Sequence, residues 1–311
     1  MSEPGRPPEL SIVVPVYNEE GNVGPLHAEL TRVARALGRT YELIFVNDGS
    51  HDETLGRLAA LRARDERLRI VDLDGNFGEA AALSAGFAHA QGALVVTLDG
   101  DGQNDPADIP RLLARLSPEL DVVSGRRRER KEAFLTRVLP SRIANWLIVR
   151  TTGVPVHDCG CGLKVYRREV LAGARLPRGM NRFLPAVLGV APARVAEVWV
   201  DDRRRGSGQS HYGFSRTFAV LRDLPALPIL VRLPRHGLAF ARALGSAPVA
   251  LVGVLLLAIL VGLGWPAGLA PALLAALALV VALAAAWAIA HDVRRWVRAQ
   301  EQGVFRVRRT L

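Results

Sequence analysis

The sequence predicts an α/β protein with a mostly parallel sheet, followed by a membrane-inserted C-terminal part. Up to about residue 125, short Val/Ile/Leu runs alternate with segments of helical periodicity, as expected for strands joined by crossover helices. The apolar runs are nearly continuous, which is typical of strands covered on both faces of a sheet. Further along, the chain from Ala243 to Ala290 contains no Asp, Glu, Lys, Arg or His.

The elements of the sheet domain follow from this alternation. We predict strands at Leu10–Val16, Tyr41–Val46, Leu68–Leu73, Ala93–Leu98 and Asp121–Ser124, and helices near Val23–Leu37, Thr54–Ala63, Ala80–Ala90 and Ile109–Leu116. Beyond them we expect a helix near Phe134–Val149, a Gly-rich segment at Asp158–Val165 and a strand at Ala196–Asp201.

The loop after the fourth predicted strand carries two carboxylates. Asp99 and Asp101 are two residues apart, and Gln103 adds a third oxygen ligand. Such hard oxygens suit a divalent cation that still has room for substrate phosphates. An Asp-x-Asp pair is also common in solvated turns, but its position after a buried strand favours a site for a nucleotide diphosphate.

The loops after the first two strands are further candidates. Tyr17 could stack on a base and Glu19 could accept from a base or ribose, although Pro15, Tyr17 and Glu19 could also form an ordinary strand exit. Asp48 and Ser50 could cap the next helix, and this role can coexist with ligand binding. The Asn-Phe-Gly run at 76–78 leads into a small-residue helix, which we interpret as close packing on the sheet.

A basic segment with Gly and Ser, Arg203–Tyr212, is the second strong feature. Its guanidinium groups and hydroxyls could clamp a phosphate, whereas the structural alternative is a solvated charge run. Arg126, Arg137 and Ser141 are weaker candidates for a second phosphate.

Charge and cysteine usage limit the class of partner. The chain has 40 Lys+Arg against 30 Asp+Glu, a net charge of +10, and its lysines are Lys131 and Lys164. Genomic base composition could explain the arginine excess, but anionic headgroups fit it better than nucleic acid, for which there is no motif. Cys159 and Cys161 are one residue apart, too close for a structural disulfide and too few for a zinc site, so we expect reduced cytosolic thiols.

The apolar run is more than twice as long as the about 20 residues that a membrane-spanning helix needs. A break at Gly264–Gly268 divides it into spans at roughly Ser246–Leu263 and Leu269–Ala290, and a buried pair of core helices is the alternative. Because arginines flank both ends, the positive-inside rule places both flanks in the cytoplasm, at the inner membrane.

We therefore expect five parts. They are a disordered tail (1–9), a cytoplasmic catalytic domain (10–216), juxtamembrane interfacial helices (217–245), two transmembrane helices (246–290) and a basic cytoplasmic tail (291–311).

Seven stretches of this chain resemble family 2 glycosyltransferases of the polyisoprenyl-phosphate branch. In order, they are SIVVPVYNEEGNV, ELIFVNDGSHDET, NFGEAAALSAGF, VVTLDGDGQNDP, SGRRRER, DCGCGLKVYRREV and RRRGSGQSHYGFSRT, and a predicted membrane hairpin follows them. Their order from about residue 10 to 220 is far more specific than any one motif. The resemblance implies a GT-A fold and a nucleotide-diphosphate sugar as donor.

The resemblance also implies roles for individual residues. It places five residues around the nucleoside: Pro15, Tyr17, Glu19, Val46 and Asp48. Asp99, Gly100 and Asp101 would lie at the ribose and metal, with Gln103 on the Mg²⁺ or Mn²⁺ ion. Arg126, Arg205 and His211 would lie at the diphosphate, and Arg205 would assist catalysis beside the two aspartates. We assign Arg137, Ser141 and Ser210 to the lipid phosphate. His211 stands where this branch often has Lys, so a titratable group replaces a permanent cation.

We expect an inverting, metal-dependent transfer of one sugar to a polyisoprenyl phosphate. No Gln-x-x-Arg-Trp pattern occurs near Arg295-Trp296, and so a processive synthase is not expected. The alternatives are a glycosyltransferase with another acceptor and an inactive, membrane-anchored nucleotide-sugar-binding scaffold. A homo-oligomer is left open.

Overall fold

One mixed sheet forms the centre of the protein. In this computed structural model we describe residues 7–128, 146–203 except 147, 151 and 178, and 287–311 except 288, 289 and 292. The strands are β1 (Leu10–Val16), β2 (Tyr41–Asn47), β3 (Leu68–Leu73), β4 (Leu94–Thr97), β5 (Val122–Arg127), β6 (Lys164–Arg167), β7 (Val195–Val200) and β8 (Val307–Thr310). Their order across the sheet is β7-β5-β6-β4-β1-β2-β3-β8.

The strand directions confirm the predicted mostly parallel α/β sheet. β1 is parallel to β2 and to β4, β2 is parallel to β3, and β5 is parallel to β7. β6 runs antiparallel between β4 and β5, and β8 runs antiparallel along β3. The sheet is therefore mixed, with its parallel part at the centre.

Helices cover both faces of the sheet. The longer ones are α1 (Val23–Ala36), α2 (Thr54–Arg62), α3 (Glu79–His89) and α4 (Ile109–Arg115), and residues 293–302 are also helical. One apolar core joins the sheet to α1, α2 and α4. The other joins it to α3, to Met180 and Phe183, and to Val293 and Val297 of the C-terminal helical segment.

The helix α3 lies very close to the sheet because its inner face is built from small residues. Ala80, Ala82 and Ala85 are fully buried, and a Cβ on Gly86 would lie 2.3 Å from Cγ1 of Val13. This contact confirms that the small residues after the Asn-Phe-Gly run serve close packing.

Two strands were not predicted from the sequence. β6 begins inside the segment noted only as Gly-rich, and β8 lies within the segment expected to be a basic tail. Both are four residues long and half composed of basic residues, so neither shows the apolar run by which the other strands were recognised. Long-range pairing with β4, β5 and β3 makes them strands.

Several predictions fall outside the described residues. They concern Arg137, Ser141, Arg205, Ser210 and His211, most of the helix near 134–149, the interfacial helices at 217–245 and nearly all of the two predicted spans. Within the part of the chain that is described, we find no helix with the length and apolarity needed to cross a bilayer.

Candidate active site

The candidate site lies where the strand order reverses. From β1 the chain continues outward through β2 and β3, whereas β4 returns to the other side of β1. In open α/β sheets, ligands bind in the crevice outside the carboxyl ends of the strands at such a point. Val13 pairs with Thr97 and Val16 pairs with Asn47, so the loops after β1, β2 and β4 emerge at the same edge.

A glycine allows the Asp99–Gln103 loop to lie directly on the end of β1. A Cβ on Gly100 would be 2.6 Å from Cγ1 of Val16 and 2.8 Å from the carbonyl oxygen of Pro15. Both distances are too short for any residue with a side chain. Gly100 and Pro15 therefore bring the first and fourth loops together by close backbone packing.

The loops after β1 and β2 are joined by hydrogen bonds into one surface (residues 17–20 and 48–54), which we call the nucleoside wall after the ligand predicted for it. The Asn18 N–H donates to Oγ of Ser50 at 2.9 Å, and Oδ1 of Asn18 accepts from the N–H of His51 at 2.9 Å. The Glu19 N–H donates to Oγ1 of Thr54 at 2.9 Å. Asn18 adopts a left-handed conformation with φ 54°, which asparagine tolerates better than most residues.

The two predicted nucleoside ligands on this wall have defined orientations. The Tyr17 ring meets the His51 ring edge to face, with 6.2 Å between the centroids. The Glu19 carboxylate accepts a 2.5 Å hydrogen bond from the Asn22 amide at the start of α1. Both side chains are partly exposed, so they can contact a ligand while they are held by the protein.

Asp48 has a structural role other than the predicted cap of the next helix, α2, whose N-cap residue is Glu53. Its carboxylate oxygens accept from the N–H groups of Phe77 and Gly78, each at 2.8 Å, and the residue is buried. It thus ties the loop after β2 to the loop after β3. Val46 is fully buried in the core, and any nucleoside contact there would involve its backbone.

The loop after β4 is held by internal hydrogen bonds, one of which orients the Asp101 carboxylate. The Asp99 N–H donates to Oδ1 of Asn104 at 3.0 Å, and Oδ1 of Asp101 accepts from the Gln103 N–H at 3.0 Å. A Cβ on Gly162 would lie 2.3–2.5 Å from the Asp99 carboxylate atoms, so this glycine leaves the space that the carboxylate occupies. Among the described residues, no group of three or more His, Cys, Asp or Glu side chains could hold a metal ion.

The start of the basic segment is attached to this loop. The Arg203 N–H donates to the Gln103 carbonyl at 2.9 Å, and the Arg203 guanidinium forms ion pairs of 2.7 Å with Glu29 and with Asp105. Partial burial lowers the pKa of Arg203, but hydrogen bonds to the two carboxylates outweigh it and raise that pKa. We call residues 99–105 and 201–203 the diphosphate wall after the ligand predicted for it, and Arg203 attaches its two segments to each other.

Arg126 lies at the carboxyl end of β5, on the face of Trp199. Its Cζ atom is 4.3 Å from the ring centroid, and its Nη1 is 3.8 Å from Oε2 of Glu197. The same carboxylate accepts from the ring of His157 at 2.7 Å. The indole and the Glu197 carboxylate together hold the Arg126 guanidinium at this end of β5.

The neighbouring Arg127 binds Asp158 in a largely buried, bidentate ion pair. Its Nε and Nη2 atoms donate to the two Asp158 oxygens at 2.8 and 3.0 Å. Burial lowers the pKa of Arg127, but Asp158 outweighs that effect and raises it. The pair fixes the start of the 158–162 turn, where burial raises the pKa of the free thiols of Cys159 and Cys161 to about 12.

A cleft next to Asp99 was not predicted from the sequence. Besides Asp99 and residues 159–162, it is lined by the charged or polar side chains of Glu79, Lys164, Asn181 and Arg182. Lys164 could have been noticed, since lysine is rare in this arginine-rich chain. The other three have no local signal, because the fold brings them together from α3 and the Met180–Phe183 turn.

Comparison with known proteins identifies similar chains. The family model described as glycosyl transferase family 2 matches residues 11–173. A dodecaprenyl-phosphate galacturonate synthase of Rhizobium johnstonii is 42% identical over 268 residues, which cover 85% of this chain and 78% of that protein. An undecaprenyl-phosphate 4-deoxy-4-formamido-L-arabinose transferase of Pseudomonas paraeruginosa is 38% identical over 216 residues, which cover 69% of this chain and 63% of the relative.

A solved structure has the same fold. It is glucosyl-3-phosphoglycerate synthase from Mycobacterium tuberculosis with Mn²⁺, uridine-diphosphate-glucose and phosphoglyceric acid. The TM-score is 0.56 at 20% identity, and the match covers 74% of this chain and 82% of the other. The expected GT-A-like α/β fold is therefore confirmed.

Proposed function

The chain belongs to glycosyl transferase family 2, and from this premise we propose that it transfers one sugar from a nucleotide-diphosphate sugar to a polyisoprenyl phosphate. The observation that carries the proposal is the meeting of the nucleoside wall and the diphosphate wall at the strand-order reversal. The names of both curated relatives contain a polyprenyl phosphate, which supports this acceptor class.

The donor would extend along the carboxyl edge of the sheet. Tyr17 and Glu19 would hold the nucleoside on a wall whose hydrogen bonds already exist before the ligand binds. Asp99 and Asp101 would then lie at the ribose and the diphosphate. Such preorganisation reduces the ordering cost of binding.

The residues of the diphosphate wall fit a divalent cation, Mg²⁺ or Mn²⁺. Asp99, Asp101 and Gln103 offer two carboxylates and an amide oxygen; Gly162 leaves room for the Asp99 carboxylate, and the Gln103 N–H donates to Asp101. This oxygen set leaves positions for diphosphate oxygens. The cation would supply positive charge that offsets the charge developing on the departing diphosphate.

Arginines would complete this electrostatic stabilisation. Arg126 is held by Trp199 and Glu197 at the end of β5. Arg205 is only two residues beyond Arg203, and two residues span at most about 7 Å. Together with His211, these groups would contact the diphosphate through fixed charge.

The acceptor phosphate is ionised near pH 7, so it needs no strong general base. Arg137, Ser141 and Ser210 would hold it in line with the anomeric carbon, and a one-step displacement would invert that centre. Correct orientation of two anionic reactants can contribute roughly 7–11 kcal/mol. Single transfer is expected, since the sequence near Arg295-Trp296 lacks the Gln-x-x-Arg-Trp pattern of processive synthases.

A membrane location at the cytoplasmic face of the inner membrane would keep the site beside its lipid acceptor. It is supported by the uncharged run from Ala243 to Ala290 and its arginine-rich flanks. Two spans at 246–290 and interfacial helices at 217–245 would position the catalytic domain at headgroup level.

The test is a transfer assay with the full-length protein in membranes. Radiolabelled UDP-, GDP- and CDP-sugars are each incubated with polyisoprenyl phosphate, with and without excess chelator. We expect one labelled donor to yield one sugar per lipid phosphate, and chelator to stop the reaction. Label that enters protein or a pre-existing lipid-linked sugar instead would contradict the acceptor, and full activity in chelator would contradict the cation.

A further inference from the structure

Strand β8 is attached to the sheet through a buried carboxylate of β3. Asp72 is 1% exposed and lies opposite Arg309 in the strand pairing. Its Oδ2 atom is 3.3 Å from Nε of Arg309 and 3.8 Å from Nη1 of Arg308, and among the described residues no hydrogen bond reaches this oxygen. A buried carboxylate is costly unless an opposite charge compensates it. The two arginines of β8 therefore supply the compensating charge for Asp72.

The other oxygen of Asp72 fixes the orientation of a buried amide on β2. Nδ2 of Asn47 donates to Oδ1 of Asp72 at 2.8 Å, and Asn47 is also 1% exposed. An ionised carboxylate only accepts hydrogen bonds, whereas an amide side chain donates at one end and accepts at the other. Asp72 thus requires the NH₂ end of Asn47, and this leaves the carbonyl end, Oδ1, for the loop after β2.

The oriented amide supports the nucleoside wall. Oδ1 of Asn47 accepts from the Ser50 N–H at 3.2 Å, and Oγ of Ser50 accepts from the Asn18 N–H at 2.9 Å. Asn18 stands between Tyr17 and Glu19, the two predicted nucleoside ligands. A continuous path of ion pairs and hydrogen bonds therefore leads from β8 across β3 and β2 to the centre of this wall.

Asn18 is the residue of the wall at which such support matters most. Its φ of 54° lies in the left-handed region, which a residue other than glycine occupies at some cost and keeps only where its surroundings hold it. Ser50 and the His51 N–H provide these holding contacts. If Ser50 moves because Asn47 is no longer oriented, the backbone that carries Tyr17 and Glu19 loses part of its support.

We infer that Arg309, Asp72 and Asn47 are positioning residues for the nucleoside, which they affect through Ser50 and Asn18. This inference rests on the proposed function for the identity of the ligand. It goes beyond that function because it assigns these three residues no contact with the donor. β8 follows the helical segment at residues 293–302, so the part of the chain that comes after the two predicted spans would contribute to nucleotide binding.

The first measurement is hydrogen exchange of the ligand-free full chain in detergent micelles. Mass spectrometry follows the peptides that cover residues 16–20 and 47–53, which contain the Asn18 and Ser50 amides. We expect both peptides to exchange roughly two- to thirtyfold faster in Arg308→Met/Arg309→Met than in the wild type, the range for residues that couple to a site at a distance. Unchanged exchange in this variant overturns the inference.

The matched control is Arg298→Met/Arg306→Met. It removes the same charge from two exposed arginines close to β8, and among the described residues neither side chain forms an ion pair. Both wall peptides should exchange as in the wild type. If peptides from α4 also exchange faster in Arg308→Met/Arg309→Met, that variant has loosened the whole domain, and the isosteric Asp72→Asn decides instead.

Asp72→Asn shows whether the effect passes through Asp72. An asparagine needs no compensating charge and can either donate or accept, so the Asn47 amide loses its fixed orientation. Asp72→Asn alone should speed exchange of both wall peptides, and the further loss of the two arginines should add little. Effects that add fully would mean that the arginines act independently of Asp72, which contradicts the inference.

The second measurement is ligand affinity, determined by calorimetry on the same variants. For whichever of UDP, GDP and CDP the wild type binds most tightly, we expect the affinity to fall roughly two- to thirtyfold. The affinity for inorganic pyrophosphate, which has no nucleoside, should stay unchanged. In the transfer assay, KM for the donor should rise while kcat is kept, because nucleoside contacts are equal in the ground and transition states. Equal losses for both ligands would contradict the positioning role.

The proposed function can fail independently. If exchange behaves as expected but no nucleoside diphosphate binds the wild type, the nucleotide-sugar donor is rejected and the link from β8 to the wall is kept. If the wild type and Asp72→Asn bind the nucleoside diphosphate equally well, the donor is kept and the positioning role is rejected.

Discussion

The two walls of the crevice are stabilised in different ways. The nucleoside wall is held by hydrogen bonds between loops that follow neighbouring parallel strands, such as Asn18 to Ser50 and Glu19 to Thr54. The diphosphate wall depends on contacts between distant parts of the chain, above all Arg203 with Glu29 of α1. The first wall therefore depends on β1, β2 and the loop after β3 that binds Asp48, whereas the second also requires that the chain return after β7.

This difference predicts that changes in the diphosphate wall affect catalysis far more than they affect folding. The largest effect is expected for Asp101→Ala, which should lower turnover about a thousandfold, since a preorganised electrostatic contact to the departing group is lost. Asp74→Ala, which removes an exposed carboxylate after β3, is the matched control. Near-wild-type turnover by Asp101→Ala in the lipid-phosphate assay would contradict the proposed metal site.

A smaller loss is expected when Asp99 is displaced rather than removed. A Cβ in Gly162→Ala would collide with the Asp99 carboxylate, and a shift of about 1 Å in a reacting group can cost about a hundredfold in rate. Gly24→Ala, in α1, meets no atom within 4 Å and should retain full activity. Equal turnover of both variants would mean that the position of Asp99 is unimportant.

An intermediate effect is expected for Arg203, which attaches the two segments of the diphosphate wall to each other. Arg203→Met removes two partly exposed ion pairs, each worth up to about 1 kcal/mol, and we expect kcat/KM to fall about tenfold with little change in thermal stability. Arg32→Met, an exposed arginine on α1, should change neither. If the free energy of unfolding falls by as much as the activation free energy derived from kcat/KM rises, Arg203 supports the fold and not the wall alone.

The smallest effect concerns the turn behind the diphosphate wall. Burial raises the pKa of the Cys159 and Cys161 thiols from 9.0 to about 12. Because the folded protein keeps these protons while the unfolded chain releases them above pH 9, stability should fall as pH rises from 9 towards 12. The expected loss is about 1 kcal/mol per thiol between pH 9 and pH 10.

Urea unfolding of the wild type and of Cys159→Ala/Cys161→Ala at these two pH values measures this loss. The double variant should be less stable throughout but should lose less stability between the two values. Parallel pH dependences in the two proteins would contradict a thiol origin.

Local pattern was sufficient for the centre of the sheet. The bounds of β1 and β3 agree with prediction because each is a mostly apolar run that is followed by polar or glycine-containing loop residues. The same reasoning found the Asp99–Gln103 and Tyr17–Glu19 loops, since parallel strands bring their carboxyl ends to one edge.

The remainder depends on contacts that no local pattern specifies. β6 has the sequence Lys-Val-Tyr-Arg, and only its insertion between β4 and β5 makes it a strand and buries Lys164. For the same reason the cleft with Asn181 and Arg182 was missed. Asp48 was recognised as important, but its bonds to Phe77 and Gly78 require the loop after β3, which lies about 30 residues away.

The final strand, β8, has a consequence for topology. It pairs with β3, and β7, the strand that leads into the basic segment, belongs to the same sheet. Whatever path the chain takes from 204 to 286, it therefore leaves the sheet after β7 and returns to the same sheet at β8. The number of times it passes through any lipid layer must then be even, so an odd count in a topology map would be incompatible with this strand pairing.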